Sequence, residues 1–344
     1  MVDDPSPKRR LADTPVGVLW RILRSNPLTL VGFLLVLAIV VVAIVVLLYP
    51  PLLVPYGPQQ FSGAIHAPPS AHHPFGTDGT GYDVYSNVLL ALPLDLGIGL
   101  AIAGSALVIG GGLGLIAGYF DTPGTVGGAL SVSIMRLTDI FLSFPSLILA
   151  LAITRTLGLG VVPTLIAIAI TWWPFYVRVV RGEVLAVKHL PYVMAARAAG
   201  VSEWRILLRH VLRNVLEPVV VYFTLDIGTV LVAYSTIGFI GVASRFPSPQ
   251  PEWGAMLAFY QSSGSINIYP WEVLAPGAAI FLTVFAFSLL GDGLRDILDP
   301  RTRRAFVRGA AGHDPPKESP AGATLSGGSG AADAPTPLEP GVPA

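Results

Sequence analysis

Asp226 stands in the middle of an apolar run, YFTLDIGTV (Tyr222–Val230). A carboxylate at the centre of a bilayer costs about 2.5–3.5 kcal/mol on insertion scales, so it needs a partner or a wet path. Two roles meet that need: a hydrogen bond to a neighbouring helix, or a place on the wall of a polar pore. Residue type alone favours the first, because polar side chains commonly join helices inside a bundle. Arg136 and Asp139, three residues apart, can pair on one helix face, and that spacing suits structure better than catalysis.

Other chemistry is excluded. His66, His72 and His73 lie near Asp78 and Asp83, but the spacing matches no metal motif and the chain has no cysteine, so a solvated loop is expected and no metal ligand is assigned. There is no phosphate loop of the Gly-x-x-x-x-Gly-Lys-Ser/Thr type, no Gly-x-Ser-x-Gly elbow and no His-Glu-x-x-His. No residue is therefore assigned a catalytic role, and the chain is not expected to hydrolyse ATP or a peptide unaided. Gly112-Leu113-Gly114 with Ala117 resembles a dinucleotide fingerprint, but it sits within an apolar helix rather than after a strand. Gly110, Gly114 and Gly118, four residues apart, instead form a small-residue stripe on which two helix backbones can approach closely.

The segment YVMAARAAG (Tyr192–Gly200) reads as a short helix ending at a glycine, and Ser202-Glu203-Trp204-Arg205 begins a second one, with Ser202 as its N-cap. Ile206, Leu207 and Val211 alternate there with Arg205, Arg209 and Arg213. Pattern alone leaves two readings equally open. One is a surface loop that is merely basic; the other is a helix–turn–helix that docks in a partner's groove.

The elements that must carry these residues are membrane spans. The 344-residue chain is 53% hydrophobic and only 12% charged, with a mean hydropathy of +0.66, where a soluble domain carries about 25% charged residues. A net charge of zero gives no reason to expect nucleic acid as a partner. Six apolar runs are long enough to cross a bilayer: Leu28–Leu48, Asp95–Gly118, Ala129–Thr154, Val161–Val180, Leu216–Gly241 and Val273–Gly291. None alternates with period two, so helices are expected, since lipid demands that every backbone group be satisfied internally. The first run is too long for a signal-peptide core and lacks a small-x-small cleavage site, so it reads as a retained helix.

Lys and Arg cluster before the first run, between the fourth and fifth, and after the sixth, whereas 50–93 has none and 242–272 only Arg245. The positive-inside rule then places both termini in the cytoplasm of a multi-pass protein of the bacterial-type cell membrane. The expected organisation is a basic tail over 1–25 facing anionic lipid and a helix over 26–49. An extracytoplasmic loop follows over 50–93. Next comes a five-helix core over 94–293 with a cytoplasmic loop at 183–215, then a tail over 294–344, disordered from about 312.

From about Leu19 to Arg304 the chain resembles the permease subunits of binding-protein-dependent ABC importers, the dipeptide/oligopeptide/nickel group, and within it the second of the two paired permeases. The resemblance rests on ordered blocks. They are LWRILRSNPLTLVGF (Leu19–Phe33), PFGTDGTGYDVYSNVL (Pro74–Leu89), GLIAGYFD (Gly114–Asp121), IMRLTDIFLSFPSLILAL (Ile134–Leu151), YVMAARAAGVSEWRILLRHVLRNVLEPVVV (Tyr192–Val221), PEWGAML (Pro251–Leu257) and PGAAIFLTVFAFSLLGDGLRDILDPR (Pro276–Arg301).

The resemblance implies an all-α membrane protein with the six-helix type I importer fold. Its 183–215 loop resembles the EAA coupling motif, with Tyr192, Ala195, Ala196, Gly200, Ser202, Glu203 and Arg205 facing a separate ATPase. Met194 stands where that motif usually has Glu, and Arg213 where a proline is common. Tyr82 and Asn87 replace usual arginines, Tyr234 a common acidic residue, and Asp226 a usual small one, which makes Asp226 and Tyr234 candidates for the translocation path. The implied partners are a homologous permease in a heterodimer, two ATPase subunits and an extracytoplasmic binding protein. ATP and Mg would belong to the ATPases, with no cofactor on this chain. Short peptides are the implied cargo. The alternatives are a nickel or other metal chelate on the same machinery, a self-sufficient secondary transporter and, last, an intramembrane enzyme.

Overall fold

The computed structural model describes residues 27–264 and 267–298. The expected basic N-terminal tail and disordered C-terminal tail lie outside the described residues. Among the described residues nine α-helices are seen: α1 Pro27–Leu48, α2 Val84–Tyr119, α3 Val126–Leu142, α4 Ser146–Leu157, α5 Val161–Val187, α6 Pro191–Ala198, α7 Glu203–Phe239, α8 Trp253–Ser262 and α9 Pro270–Leu298. β pairing among the described residues is confined to two isolated bridges, Phe61 with Tyr82 and Thr77 with Asp83, in the 50–83 loop. The fold is all-α and membrane-embedded. Helices α1, α2, α5, α7 and α9 are each long and apolar enough to span.

The third expected span is bent, and counted as one broken span it brings the candidates to six. Ala129–Thr154 is not one helix: α3 and α4 meet at 86° across Ser143–Pro145. Pro145 has no N–H to donate and pushes Phe144 away from helical torsions, so the chain turns there. Alone, the 12 residues of α4 reach only about 18 Å.

Two boundaries also move. Helix α2 begins at Val84, inside the expected 50–93 loop, because Asp83 caps it: its Oδ2 accepts from Ser86 N at 2.8 Å and from Ser86 Oγ at 2.6 Å. The second short helix expected after Ser202 does not end before the fifth span. It forms the first turn of α7 and continues into the span through a π turn at Leu207–Val211. Ser202 does occupy the N-cap position, but its side chain makes no capping bond.

Helices α2 and α5 form the central pair, with α7 beside them and α9 against α7 and α1. The α2–α5 seam explains the glycine stripe. A Cβ on Gly110 would strike Trp173 O, one on Gly114 would lie 2.7 Å from Val177 O, and one on Gly118 would lie 2.7 Å from Val184 Cβ. Leu34, Leu37, Val41, Ile44 and Leu47 of α1 stay exposed, as a lipid-facing helix requires.

Candidate functional site: the coupling loop and the polar core

The 183–215 segment is a packed knuckle. Val193, Ile206, Leu207 and Val211 are fully buried and pack with Val180 and Val184 of α5 and Leu115 and Tyr119 of α2. Helix α6 ends in a Schellman turn: Gly200 N donates to Arg197 O at 3.0 Å and Val201 N to Ala196 O at 3.2 Å. Gly200 takes φ +77°, the left-handed conformation that a glycine accepts without strain. Tyr192, Ala195, Gly200, Ser202, Glu203 and Arg205 are exposed, and Ala196 is half-buried.

A polar clasp holds the knuckle to α2. Arg197 donates from Nε to Glu203 Oε1 at 3.0 Å and from Nη2 to Glu203 Oε2 at 3.2 Å, and Tyr119 OH donates to the same Glu203 carboxylate. Hydrogen bonds to Glu203 and Tyr119 raise the Arg197 guanidinium above its usual range. Lys188 Nζ donates to Gly118 O at 2.9 Å, near the last turn of α2, and burial pushes this ammonium down, opposed by Asp121. Arg181 pairs with Asp121 at 2.8 Å. Arg178 pairs with Asp139 at 2.8 Å, so Asp139 meets α5 rather than Arg136 of its own helix. The ends of α2, α3 and α5 and the knuckle are thereby joined.

Asp226 is 7% exposed and aims at α5. Trp172 Nε1 donates to Oδ1 at 2.9 Å and to Oδ2 at 3.1 Å, and Tyr176 OH donates to Oδ2 at 2.9 Å. Both partners lie on one face of α5, four residues apart. Tyr234, two turns further along α7, is fully buried away from this cluster, beside Glu252 and Asp95.

At the opposite end, His66 and His73 leave the solvated loop expected for the three histidines, while His72 stays exposed. His66 Nδ1 lies 2.6 Å from Glu272 Oε1, and its ring stacks on Tyr269 at 3.9 Å. His73 Nδ1 lies 2.9 Å from Asp83 Oδ1, tying the loop to the cap of α2. The 242–272 stretch contains α8, whose Trp253, Met256 and Tyr260 are buried in the core. Sequence reasoning overlooked Asp95 and Glu252. The available signal was a carboxylate at each of two apolar boundaries, Asp95 opening the second run and Glu252 preceding Trp253.

Comparison with known proteins fits this geometry. Residues 110–304 match the model of the binding-protein-dependent transport system inner membrane component, and residues 14–69 match the N-terminal TM domain of oligopeptide transport permease C. The "Probable D,D-dipeptide transport system permease protein DdpC" of Escherichia coli strain K12 is 38% identical over 296 residues, 86% of this chain and 94% of that protein. The dipeptide transport system permease protein DppC of Alkalihalophilus pseudofirmus is 37% identical over 301 residues, 87% and 94% of the two chains. The glutathione transport system permease protein GsiD of Pectobacterium atrosepticum is 34% identical over 293 residues, 84% and 92%. Among solved structures, the inward-facing MetNI methionine ABC transporter aligns with a TM-score of 0.50 at 21% identity, over 61% of this chain and 96% of that one, a likeness of fold. The chain belongs to the inner-membrane permease components of binding-protein-dependent ABC transport systems.

Proposed function

We propose that this permease forms half of the path by which short peptides, delivered by an extracytoplasmic binding protein, enter the cell. A homologous permease supplies the other half, and two ATPase subunits drive the cycle from the cytoplasm. The peptide cargo is supported by relatives named for dipeptide and glutathione transport.

The observation that carries the coupling role is an apolar surface where a basic loop has no need of one. Tyr192, Met194, Trp204 and Leu208 are 41%, 52%, 58% and 57% exposed on a knuckle whose inner face is fully packed. Exposed apolar clusters rimmed by charge mark protein interfaces, and here the partner is the ATPase. Met194 sits where an acidic residue is usual, so the contact on this chain is apolar rather than ionic. ATP-driven closure of the ATPase pair presses on α6. The Arg197–Glu203–Tyr119 clasp and Lys188 carry that displacement to α2, and the continuous α7 carries it into the bundle.

Affinity purification of the tagged chain tests this reading. Recovery of a second permease and an ATPase is expected, with the ATPase lost from Met194→Arg and Trp204→Asp variants that still reach the membrane. Undiminished ATPase recovery in both variants would show that the knuckle is not the contact.

A further inference from the structure

Two turns meet at the end of the bundle opposite the coupling loop. Leu159 and Gly160 precede α5, whose far end leads to α6, and residues 241–245 follow α7, whose far end is the knuckle itself. Gly160 N donates to Val242 O at 3.2 Å and ties one turn to the other. They enclose a cavity of about 350 Å³ with Arg245 in its wall. That volume falls within the range of small-ligand pockets, about 300–1,000 Å³. Val242 and Ala243 are buried on one side of Arg245 and Phe246 on the other, so the backbone that carries it is anchored in the core. Ser244 donates its hydroxyl proton to Glu252 at 2.9 Å, and Arg245 is the only lining side chain that carries charge. At Gly241, with φ +80°, an added Cβ would meet nothing within 4 Å, so this wall is bare backbone beside open space.

Charge makes this arrangement informative. Arg245 is exposed, and its guanidinium makes no hydrogen bond or ion pair among the described residues. The segment 50–93 has no Lys or Arg, and Arg155, in the last turn of α4, is the other arginine at this end. The positive-inside rule keeps such residues at the opposite face, so a guanidinium held here over a cavity calls for an anionic ligand. A cavity with a single cation suits a small ligand rather than a protein surface, which needs about 800 Å² from each partner. The one anion common to every short peptide, whatever its side chains, is the terminal carboxylate. A guanidinium holds a carboxylate through two parallel hydrogen bonds.

We propose that Arg245 receives the terminal carboxylate of the peptide cargo as it enters the path, and so selects peptides with a free C-terminus. This role rests on the peptide-transport reading given above and adds to it the group that is recognised.

The test is uptake into proteoliposomes by the assembled transporter with its binding protein, using a labelled pool of mixed dipeptides and the same pool as C-terminal amides. The ratio of free-acid to amide uptake is compared among wild type, Arg245→Gln, Arg245→Lys and Arg155→Gln. One binding protein serves all four, so its own preference cancels. The ratio should fall about ten-fold in Arg245→Gln and recover in part in Arg245→Lys. It should stay at the wild-type value in Arg155→Gln, which removes the same charge outside the cavity. An unchanged ratio in Arg245→Gln, even with slower uptake of both pools, would overturn the site, because lost docking of the binding protein or a folding defect slows both alike. An equal fall in Arg155→Gln would also overturn it, by showing a diffuse field rather than a site. Should amide uptake be too slow to measure, the free dipeptides decide: a rate in Arg245→Gln no lower than in Arg245→Lys would overturn the site. A wild-type transporter that carries neither pool would instead overturn the peptide reading itself, and the site with it.

Discussion

Lys188 ends with its ammonium 2.9 Å from the carbonyl oxygen of Gly118, seventy residues earlier in the chain. Gly118 is the last of the glycines on the α2–α5 seam, and Lys188 is the first residue after α5. The bond therefore closes the seam at its basic end. It also satisfies a carbonyl near the last turn of α2, where cations complement the helix dipole.

Lys188→Met keeps the buried stem and removes the donor. The carbonyl of Gly118 is then buried without this partner, a loss of about 1–3 kcal/mol. A lower melting temperature of the assembled complex, with ATPase activity less responsive to loaded binding protein, is expected. An unchanged melting temperature would mean that water replaces the ammonium without cost.

The glycines of α2 are not equivalent. Gly114→Val forces a side chain into Val177 and Val180 of α5, and overpacking of that kind costs about 1–3 kcal/mol or separates the helices. Gly112 lies two residues away with no neighbouring atom in the way, so Gly112→Ala should be neutral or mildly stabilising, by up to about 1 kcal/mol. Membrane yield and melting temperature of the two variants decide the point, and equal behaviour would refute the seam.

Asp226→Leu leaves the Trp172 indole and the Tyr176 hydroxyl without their acceptor, at about 1–3 kcal/mol for each buried donor, and should reduce assembled complex sharply. Asp226→Asn keeps one acceptor oxygen and should assemble in better yield. Turnover per assembled complex in the Asn variant then separates the two roles for this carboxylate. A change there marks a path-lining group, and normal turnover with reduced assembly marks an interhelical tie.

Burial raises the Asp78 carboxyl above its usual range, against opposing hydrogen bonds from Thr80 and Tyr82. Because the folded value is raised, the stability that goes with the protonated form is present at acid pH and is lost as pH rises through the folded value. The three bonds from Thr80 and Tyr82 all go to Oδ1, so an Asn can keep every one of them. Asp78→Asn should therefore be at least as stable as wild type near neutral pH, with a flatter dependence of melting temperature on pH. A steeper dependence would contradict the assignment.

The run of apolar residues ending at Leu48 and the helix α1 stop at the same residue, which shows what a sequence settles alone. Hydropathy is a sum over consecutive residues, so spans, the basic loop and the family blocks are all legible locally. The small-residue stripe is legible for the same reason, since four-residue spacing implies one face. Even Gly200 is readable, because a glycine after a short helix announces a left-handed turn.

What tertiary structure decided was partnership. Asp139 has Arg136 within reach on its own helix, yet Arg178 of α5 takes it. His66 finds Glu272 two hundred and six residues away, and Asp95 meets Trp253 across one hundred and fifty-eight. The 86° break at Pro145 has a sequence signal, but hydropathy averages across it, and the angle itself depends on how α4 packs on α5. Such choices follow from the register and crossing of helices far apart in the chain. Side chains from separate elements become neighbours only after the apolar seams have closed.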